Sequence, residues 1–325
     1  MIQMGFNLLL SFIGNGSGAP DKSWIQKLYE LIPDININVS NDIEEARKYI
    51  EDADAAYGEV PPELFEKAKN LRWIACPMAG PPKGYYHQAL IESDVIVTNI
   101  RGIFSDHISA HIMSYVLAFA RGLHINMHQQ FKHKWKPQTK SIHLPESTAI
   151  IVGVGGIGGE TAKLCSGFGM KVIGIDARLN ESPTGVDELY SPHHLHDLLP
   201  RGDFVIVTVP ETPHTQGMFG MQEFKAMKNS AYLINIGRGA TVILEDLTLA
   251  LENREISGAG LDVFEIEPLP SDHKLWDTPG MIITPHVAAL GPYLRERAAE
   301  TFFQNCIRFN ENKPLINVVD KANWF

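Results

Sequence analysis

Five groups of residues between positions 153 and 286 of this 325-residue chain have side chains, or a lack of them, that suit one kind of chemistry. Gly153-Val154-Gly155-Gly156-Ile157-Gly158 follows the apolar run Ala149 to Val152 and opens a helical stretch through Glu160, Ala162, Lys163 and Leu164. Asp176 closes the next apolar run, Lys171 to Ile175. Arg238, Glu267 and His286 each stand just past a further apolar, β-rich run. The glycine spacing suits a pyrophosphate. Gly153 permits a tight turn, Gly155 lets backbone come up to the phosphates, and Gly158 lets helix pack close on strand. The free N–H groups and positive end of the helix would hold the phosphates. Asp176 stands where a carboxylate can accept from both ribose hydroxyls of an adenosine. Beside such a cofactor, the other three residues suit hydride transfer to a 2-oxo acid. Arg238 can clamp a carboxylate with two parallel N–H bonds and polarise the neighbouring keto oxygen. His286 can give that oxygen a proton as hydride arrives, and take it back in reverse. Glu267 can hold the other ring nitrogen and fix its tautomer.

These residues need a scaffold that brings strand ends together. In an open parallel sheet, ligands bind beyond the carboxyl ends of the strands. The runs Phe204 to Val209, Ala231 to Ile236, Gly258 to Val263 and Met281 to Thr284 read as strands, which Pro210, Arg238, Asp262 with Glu267, and His286 follow or close. With the two opening strands they make at least six, enough for a doubly wound parallel sheet. Before it, Phe6 to Ile13, Asn36 to Val39, Ala53 to Tyr57, Leu71 to Ala75 and Val95 to Thr98 read as strands alternating with helices at Asp21 to Leu31 and from Pro61-Pro62-Glu63. That stretch has no dinucleotide fingerprint and reads as a separate, smaller α/β domain. Ser105 to Leu123 is an amphipathic helix with Ile108, Ile112, Tyr115, Val116 and Phe119 apolar, expected to continue, polar, through His124 to Trp135. A long helix is expected over Pro292 to Phe309, with Pro314 to Val319 returning to the first domain.

Composition is that of an ordinary globular chain, 44% apolar and 20% charged. A net charge of −10 argues against nucleic-acid or anionic-membrane partners. Cys76, Cys165 and Cys306 form neither a disulfide framework nor a CxxC site, which suits a reducing, cytoplasmic setting. The run Phe6 to Ile13 has no Lys or Arg before it and reads as a strand, not a signal peptide core. No apolar stretch reaches membrane-spanning length. His124, His128 and His133, and likewise His193, His194 and His196, lack a carboxylate or cysteine to complete a metal site, so no metal is expected.

The motifs VGVGGIGG at 152–159, VPETPHTQGMF at 209–219, NIGRGATV at 235–242, GAGLDVFEIEPLP at 258–270 and TPHVAA at 284–289 together resemble the D-isomer-specific 2-hydroxyacid dehydrogenase family over nearly the whole chain. The resemblance implies an α/β protein of two Rossmann-like domains. A doubly wound nucleotide domain, residues 104–287, would be inserted into a flavodoxin-like catalytic domain, residues 1–103 plus 288–325, with the cleft between them. It implies Arg238, Glu267 and His286 as the catalytic group. It implies that the loop Met78-Ala79-Gly80 offers backbone N–H groups to the substrate carboxylate. Gly156, Ile157, Asp176, Val209, Pro210, Thr215, Ile236 and Asp262 match its cofactor-contacting positions, and Gly153, Gly155, Gly158, Arg178, Gly237, Arg238 and His286 are expected to bind the cofactor with them. Glyoxylate and hydroxypyruvate are the substrates it points to first, and family dimers meet through the helix and arm from Ser105 to Trp135, so a homodimer is expected.

Some residues depart from the family pattern. Ala110 stands where the family often has glutamate, Ala289-Leu290-Gly291-Pro292 replaces a small residue and threonine, and Pro81-Pro82-Lys83-Gly84-Tyr85-Tyr86 is an unusual loop. Lys83 could meet a second anionic group on a substrate or be a solvated loop lysine. Tyr85, Tyr86, Leu290 and Trp135 could wall the pocket or be core. Asp176 would repel a 2′-phosphate, favouring NAD(H), while Arg178 nearby keeps NADP(H) open. Two other readings stay open. Corepressors that sense dinucleotides resemble this family and keep the same trio, though this chain has no long disordered tail and no basic run. Phosphoglycerate oxidation is weakened because nothing after Phe325 remains to form a regulatory domain.

Overall fold

A computed structural model of the chain describes residues 5–11, 22–81, 84–137 and 141–322. It divides into two compact units, Met1–Ile103 with Pro292–Phe325, and Phe104–Gly291. The first unit opens with β1 (Asn7–Ser11), α1 (Lys22–Leu31), β2 (Asn36–Ser40), α2 (Ile43–Tyr49), β3 (Ala55–Tyr57), α3 (Pro62–Phe65), β4 (Trp73–Ala75), α4 (Gln88–Glu92) and β5 (Ile96–Thr98). All five strands are parallel, in the order β2-β1-β3-β4-β5. This is the flavodoxin-like doubly wound order. In β1, Leu8 and Leu10 face one core while Leu9 faces the other, so both sides of the sheet are covered. Asp42 caps α2 by accepting from the Glu45 N–H at 2.8 Å, and the Glu45 carboxylate accepts from Asn41 N–H at 3.0 Å. α3 carries proline in its first turn, as its sequence predicts.

The second unit begins with α5 (Ser105–Ala120) and α6 (Leu123–Phe131). The expected continuous helix is interrupted: Gly122 adopts φ 63°, a left-handed conformation that glycine takes without a Cβ penalty. α6 is solvated, as a polar extension would be, but its surface is mixed. It buries no residue, and Leu123, Met127 and Phe131 recur at four-residue spacing with Phe131 80% exposed. The chain continues through β6 (Thr148–Val152), α7 (Gly156–Gly167), β7 (Lys171–Ile175), β8 (Glu188–Tyr190), α8 (Leu195–Leu198), β9 (Phe204–Val207), α9 (Met221–Ala226), β10 (Tyr232–Asn235), α10 (Leu244–Glu252), β11 (Gly258–Leu261) and β12 (Met281–Ile283). The seven strands are parallel in the order β12-β11-β10-β9-β6-β7-β8. Strands β6, β7, β9, β10 and β11 are apolar and buried on both faces, which explains why they read as uninterrupted hydrophobic runs. Order reverses at β6 and β9, and that crevice is where an open α/β sheet receives a ligand.

The last helix, α11 (Leu294–Asn310), returns to the first unit, where Ala299, Phe302, Cys306 and Phe309 pack against Trp24, Tyr57 and Trp73. Val318 then bridges to Thr98, and Lys321 Nζ donates to the carbonyls of Leu90, Ser93 and Val95. The return falls at Pro292 and not at 288, because Ala288 N–H is bonded to the Asp262 carboxylate at 2.9 Å, within the second unit. All three cysteines are buried and unpaired. Among the described residues, no helix is long and apolar enough to cross a membrane.

Candidate active site

The glycine turn is built by close packing. Gly153 has φ 94°, and its N–H donates to the Ile175 carbonyl at 2.7 Å. A Cβ on Gly158 would lie 1.9 Å from the Gly153 carbonyl oxygen, so only glycine lets α7 start this close to β6. The Thr208 hydroxyl donates to that same oxygen at 2.5 Å and fixes the turn from β9. A Cβ on Gly155 would be in ordinary contact with an Arg178 guanidinium nitrogen at 3.7 Å, so a flexible cation, and no backbone, stands over this glycine. Gly156 is the first residue of α7 and Ile157 the second. This cradle, with a guanidinium over Gly155 and a helix N-terminus at its edge, fits a dinucleotide pyrophosphate.

Asp176 is buried at the end of β7, and its carboxylate serves two loops. Oδ2 accepts from Val154 N–H at 3.0 Å, and Oδ1 from Arg178 N–H at 2.9 Å and Leu179 N–H at 3.3 Å. Three positions singled out on resemblance have evident structural duties. Val209 packs on Gly237, where a Cβ would lie 2.5 Å from the Val209 carbonyl oxygen. The Thr215 hydroxyl donates to the Pro210 carbonyl at 2.6 Å and accepts from Thr212 N–H at 2.8 Å, closing the turn after β9. Ile236 is buried, its N–H on the Val207 carbonyl.

Three strand ends carry the polar trio. After β10, Asn235 organises the Arg238 turn: its Oδ1 accepts from Gly237 N–H at 3.0 Å and its Nδ2 donates to the Arg238 carbonyl at 3.1 Å. Sequence reasoning missed this buried asparagine, although its place one turn ahead of Arg238 is a usable signal. The Arg238 guanidinium donates to the Gly237 carbonyl at 2.7 Å. Burial pushes it down from its ordinary value, while the carboxylates of Glu211 and Glu267 pull the other way. Gly239 lies against the turn after β11, where its Cβ would sit 1.9 Å from the Phe264 carbonyl carbon. In that turn, Glu267 Oε1 accepts from Phe264 N–H at 2.9 Å, leaving Oε2 for His286 Nδ1 at 2.7 Å. His286 follows β12 with φ 54°, its N–H on the Asp262 carbonyl at 2.9 Å. Arg238 thus lies in the field of the carboxylate that holds His286, and all three belong to one unit.

Met78, Ala79 and Gly80 belong to the other unit, after β4; Asn99 Nδ2 donates to the Ala79 carbonyl at 3.1 Å. Tyr85 and Tyr86 are core residues there, with the Tyr85 hydroxyl on the Gly58 carbonyl at 2.9 Å. Leu290 and Trp135 are exposed, and Lys83 lies outside the described residues.

Comparison with known proteins agrees with this architecture. Residues 113–288 match the model of the D-isomer specific 2-hydroxyacid dehydrogenase NAD binding domain. A glyoxylate reductase of Korarchaeum cryptofilum is 32% identical over 267 residues, 80% of this chain and 79% of that protein. A D-isomer specific 2-hydroxyacid dehydrogenase family protein from Aeromonas salmonicida superposes with a TM-score of 0.77 at 31% identity, over 98% of this chain and 99% of its own. An NADPH-dependent glyoxylate/hydroxypyruvate reductase from Sinorhizobium meliloti, solved with NADP and sulfate, superposes with a TM-score of 0.79 at 25% identity, over 98% of this chain and all of its own. The glycine cradle, the acid after β7 and the extent of these matches make the chain an NAD(P)-dependent oxidoreductase of the D-isomer-specific 2-hydroxyacid dehydrogenase family.

Proposed function

We propose that the protein reduces a small 2-oxo acid, such as glyoxylate or hydroxypyruvate, to the D-2-hydroxy acid with NADH, and runs the reverse oxidation. The supporting observation is the 2.7 Å contact between Glu267 Oε2 and His286 Nδ1, with Arg238 electrostatically coupled to the same glutamate. When bound, NADH supplies the hydride from its reduced nicotinamide ring. Arg238 binds the substrate carboxylate and polarises the adjoining carbonyl. Glu267 occupies Nδ1 of His286, which leaves Nε2 as the nitrogen that exchanges a proton with the carbonyl oxygen. Met78-Ala79-Gly80 are proposed to offer N–H groups to the substrate carboxylate. Following NADH absorbance with a panel of 2-oxo acids tests the reading. Turnover of glyoxylate or hydroxypyruvate supports it, while binding of NADH with no turnover of any acid would replace it with a dinucleotide-sensing role.

The NADH preference rests on Asp176, whose charge opposes a 2′-phosphate. Asp176→Ala is expected to raise Kd for NADH about 10–100-fold, since hydrogen bonds to a charged group are worth ~1.5–3 kcal/mol. NADPH is expected to lose far less, so discrimination narrows. Equal kcat/KM for the two cofactors in the unmutated protein would defeat the assignment.

A homodimer is proposed through α6 and the arm after it, supported by the apolar row Leu123, Met127, Phe131 and the fully exposed Trp135. Sedimentation is expected to give twice the chain mass, and Phe131→Glu with Trp135→Glu to give the monomer; a wild-type monomer at micromolar concentration would end the proposal. Free, buried cysteines support a cytoplasmic setting.

A further inference from the structure

His286 occupies a backbone conformation that non-glycine residues rarely take, and something must hold it there. The near side of the clamp is the carboxylate of Asp262, which is almost entirely buried. Its Oδ1 accepts from Val287 N–H at 2.9 Å and its Oδ2 from Ala288 N–H at 2.9 Å, while its backbone carbonyl takes His286 N–H. Asp262 therefore grips the chain at three successive residues, 286 to 288.

The carboxylate is itself fixed from α5, by residues outside the proposed chemistry. Thr284 Oγ1 donates to Asp262 Oδ1 at 2.5 Å. The Tyr115 hydroxyl lies 2.5 Å from Thr284 Oγ1, and His111 Nε2 lies 3.1 Å from that oxygen and 3.2 Å from the Tyr115 hydroxyl. Counting protons gives the three bonds at Thr284 Oγ1 a direction. The single proton of Thr284 goes to the carboxylate, so its oxygen accepts from Tyr115 O–H and from an Nε2–H of His111. The Thr284 hydroxyl and the Asp262 carboxylate are then satisfied, as members of a buried polar network must be. The sheet makes room for it: a Cβ on Gly260, two residues before Asp262, would meet the Tyr115 ring at 2.8 Å. The ring lies on β11 itself, and the expected role of Tyr115 as an apolar member of the α5 stripe covers only that ring.

We propose that His111 and Tyr115 are positioning residues for His286, acting through the Thr284 hydroxyl and the Asp262 carboxylate. The inference rests on the reading of His286 as proton donor. Released from α5, the Asp262 carboxylate can rotate, and the Val287 and Ala288 N–H groups follow it. The imidazole then loses its aim without losing its own contact with Glu267.

The test uses the full-length protein. Tyr115→Phe and His111→Ala are each expected to lower kcat for 2-oxo acid reduction about tenfold, short of the ~10²-fold that a 1 Å misplacement can cost. KM for the acid and Kd for NADH stay within about twofold, and the His286 ring resonances of the cofactor-free protein move. His111→Gln, whose amide N–H falls near the place of Nε2–H, restores most of kcat. The Tyr115→Phe/His111→Ala double variant is no worse than about the poorer single, because both act on one hydroxyl. Unchanged kcat and unchanged resonances in both single variants would overturn the inference. So would a loss that tracks Tm and is not rescued by glutamine, which marks a fold effect alone. His286→Ala, run beside them, separates the two levels. If it collapses kcat while Tyr115→Phe does not, only the positioning role fails; if it leaves kcat intact, the proton-donor reading fails and takes this inference with it.

Discussion

His286→Ala is expected to lower kcat for 2-oxo acid reduction by about 10²–10⁴-fold, the range contributed by a positioned general acid. Nδ1 of His286 is committed to Glu267 at 2.7 Å, so the proposed proton transfer has Nε2 as its only route through this ring. The side chain is half exposed, and its removal leaves no cavity in a core. Binding of NADH should therefore be preserved, and the loss should appear in kcat and not in Kd. Alanine at φ 54° adds a backbone cost of its own, whereas asparagine adopts that conformation more readily. His286→Asn should consequently be at least as stable as His286→Ala and equally inactive. Stopped-flow and steady-state NADH oxidation, with fluorescence titration of NADH, would check both variants. A kcat within threefold of wild type in His286→Asn would remove the histidine from the chemistry.

The sequence was most informative where local rules and global topology coincide. β6, β7, β9, β10 and β11 are buried on both faces, so each appears as an unbroken apolar run, and the residue after each run is automatically near the ligand edge of the sheet. That logic singled out Arg238, Glu267 and, after the shorter run of β12, His286 as candidates. It could not find what holds them. Asn235 and Thr208 fix the turns after β10 and β6 through side-chain bonds whose partners are set by three-dimensional packing. The Thr215 hydroxyl closes its own turn, a duty that resemblance to a cofactor-contacting position does not reveal. The stretch 105–135 shows a different limit. Its apolar periodicity predicts one helix, but a single left-handed glycine at 122 redirects the chain, and α6 carries Leu123, Met127 and Phe131 outward among its polar residues. A glycine in a helical pattern can be tolerated or can end the helix, and sequence alone does not decide between them.

Arg238→Ala should lower kcat/KM for the 2-oxo acid by about 10²–10³-fold, because truncating one partner of a buried, hydrogen-bonded charge pair costs ~2–5 kcal/mol. Most of this should appear as a raised KM. The turn itself survives in the variant, since Asn235 Nδ2 and Thr241 Oγ1 hold the residue's backbone carbonyl at 3.1 and 2.7 Å and neither bond uses the guanidinium. What is lost is a cation in a partly desolvated place beside Glu211 and Glu267. Without it, the two carboxylates repel an anionic substrate unopposed. Arg238→Lys keeps the charge but not the planar fork, so it should recover the electrostatic part and little of the geometric part, falling between alanine and wild type. The split is diagnostic. If Lys restored full kcat/KM, a point charge would suffice and no two-bond clamp would be needed. If Ala left KM for glyoxylate unchanged and only kcat fell, Arg238 would act on the transition state alone, and the carboxylate would have to be bound elsewhere.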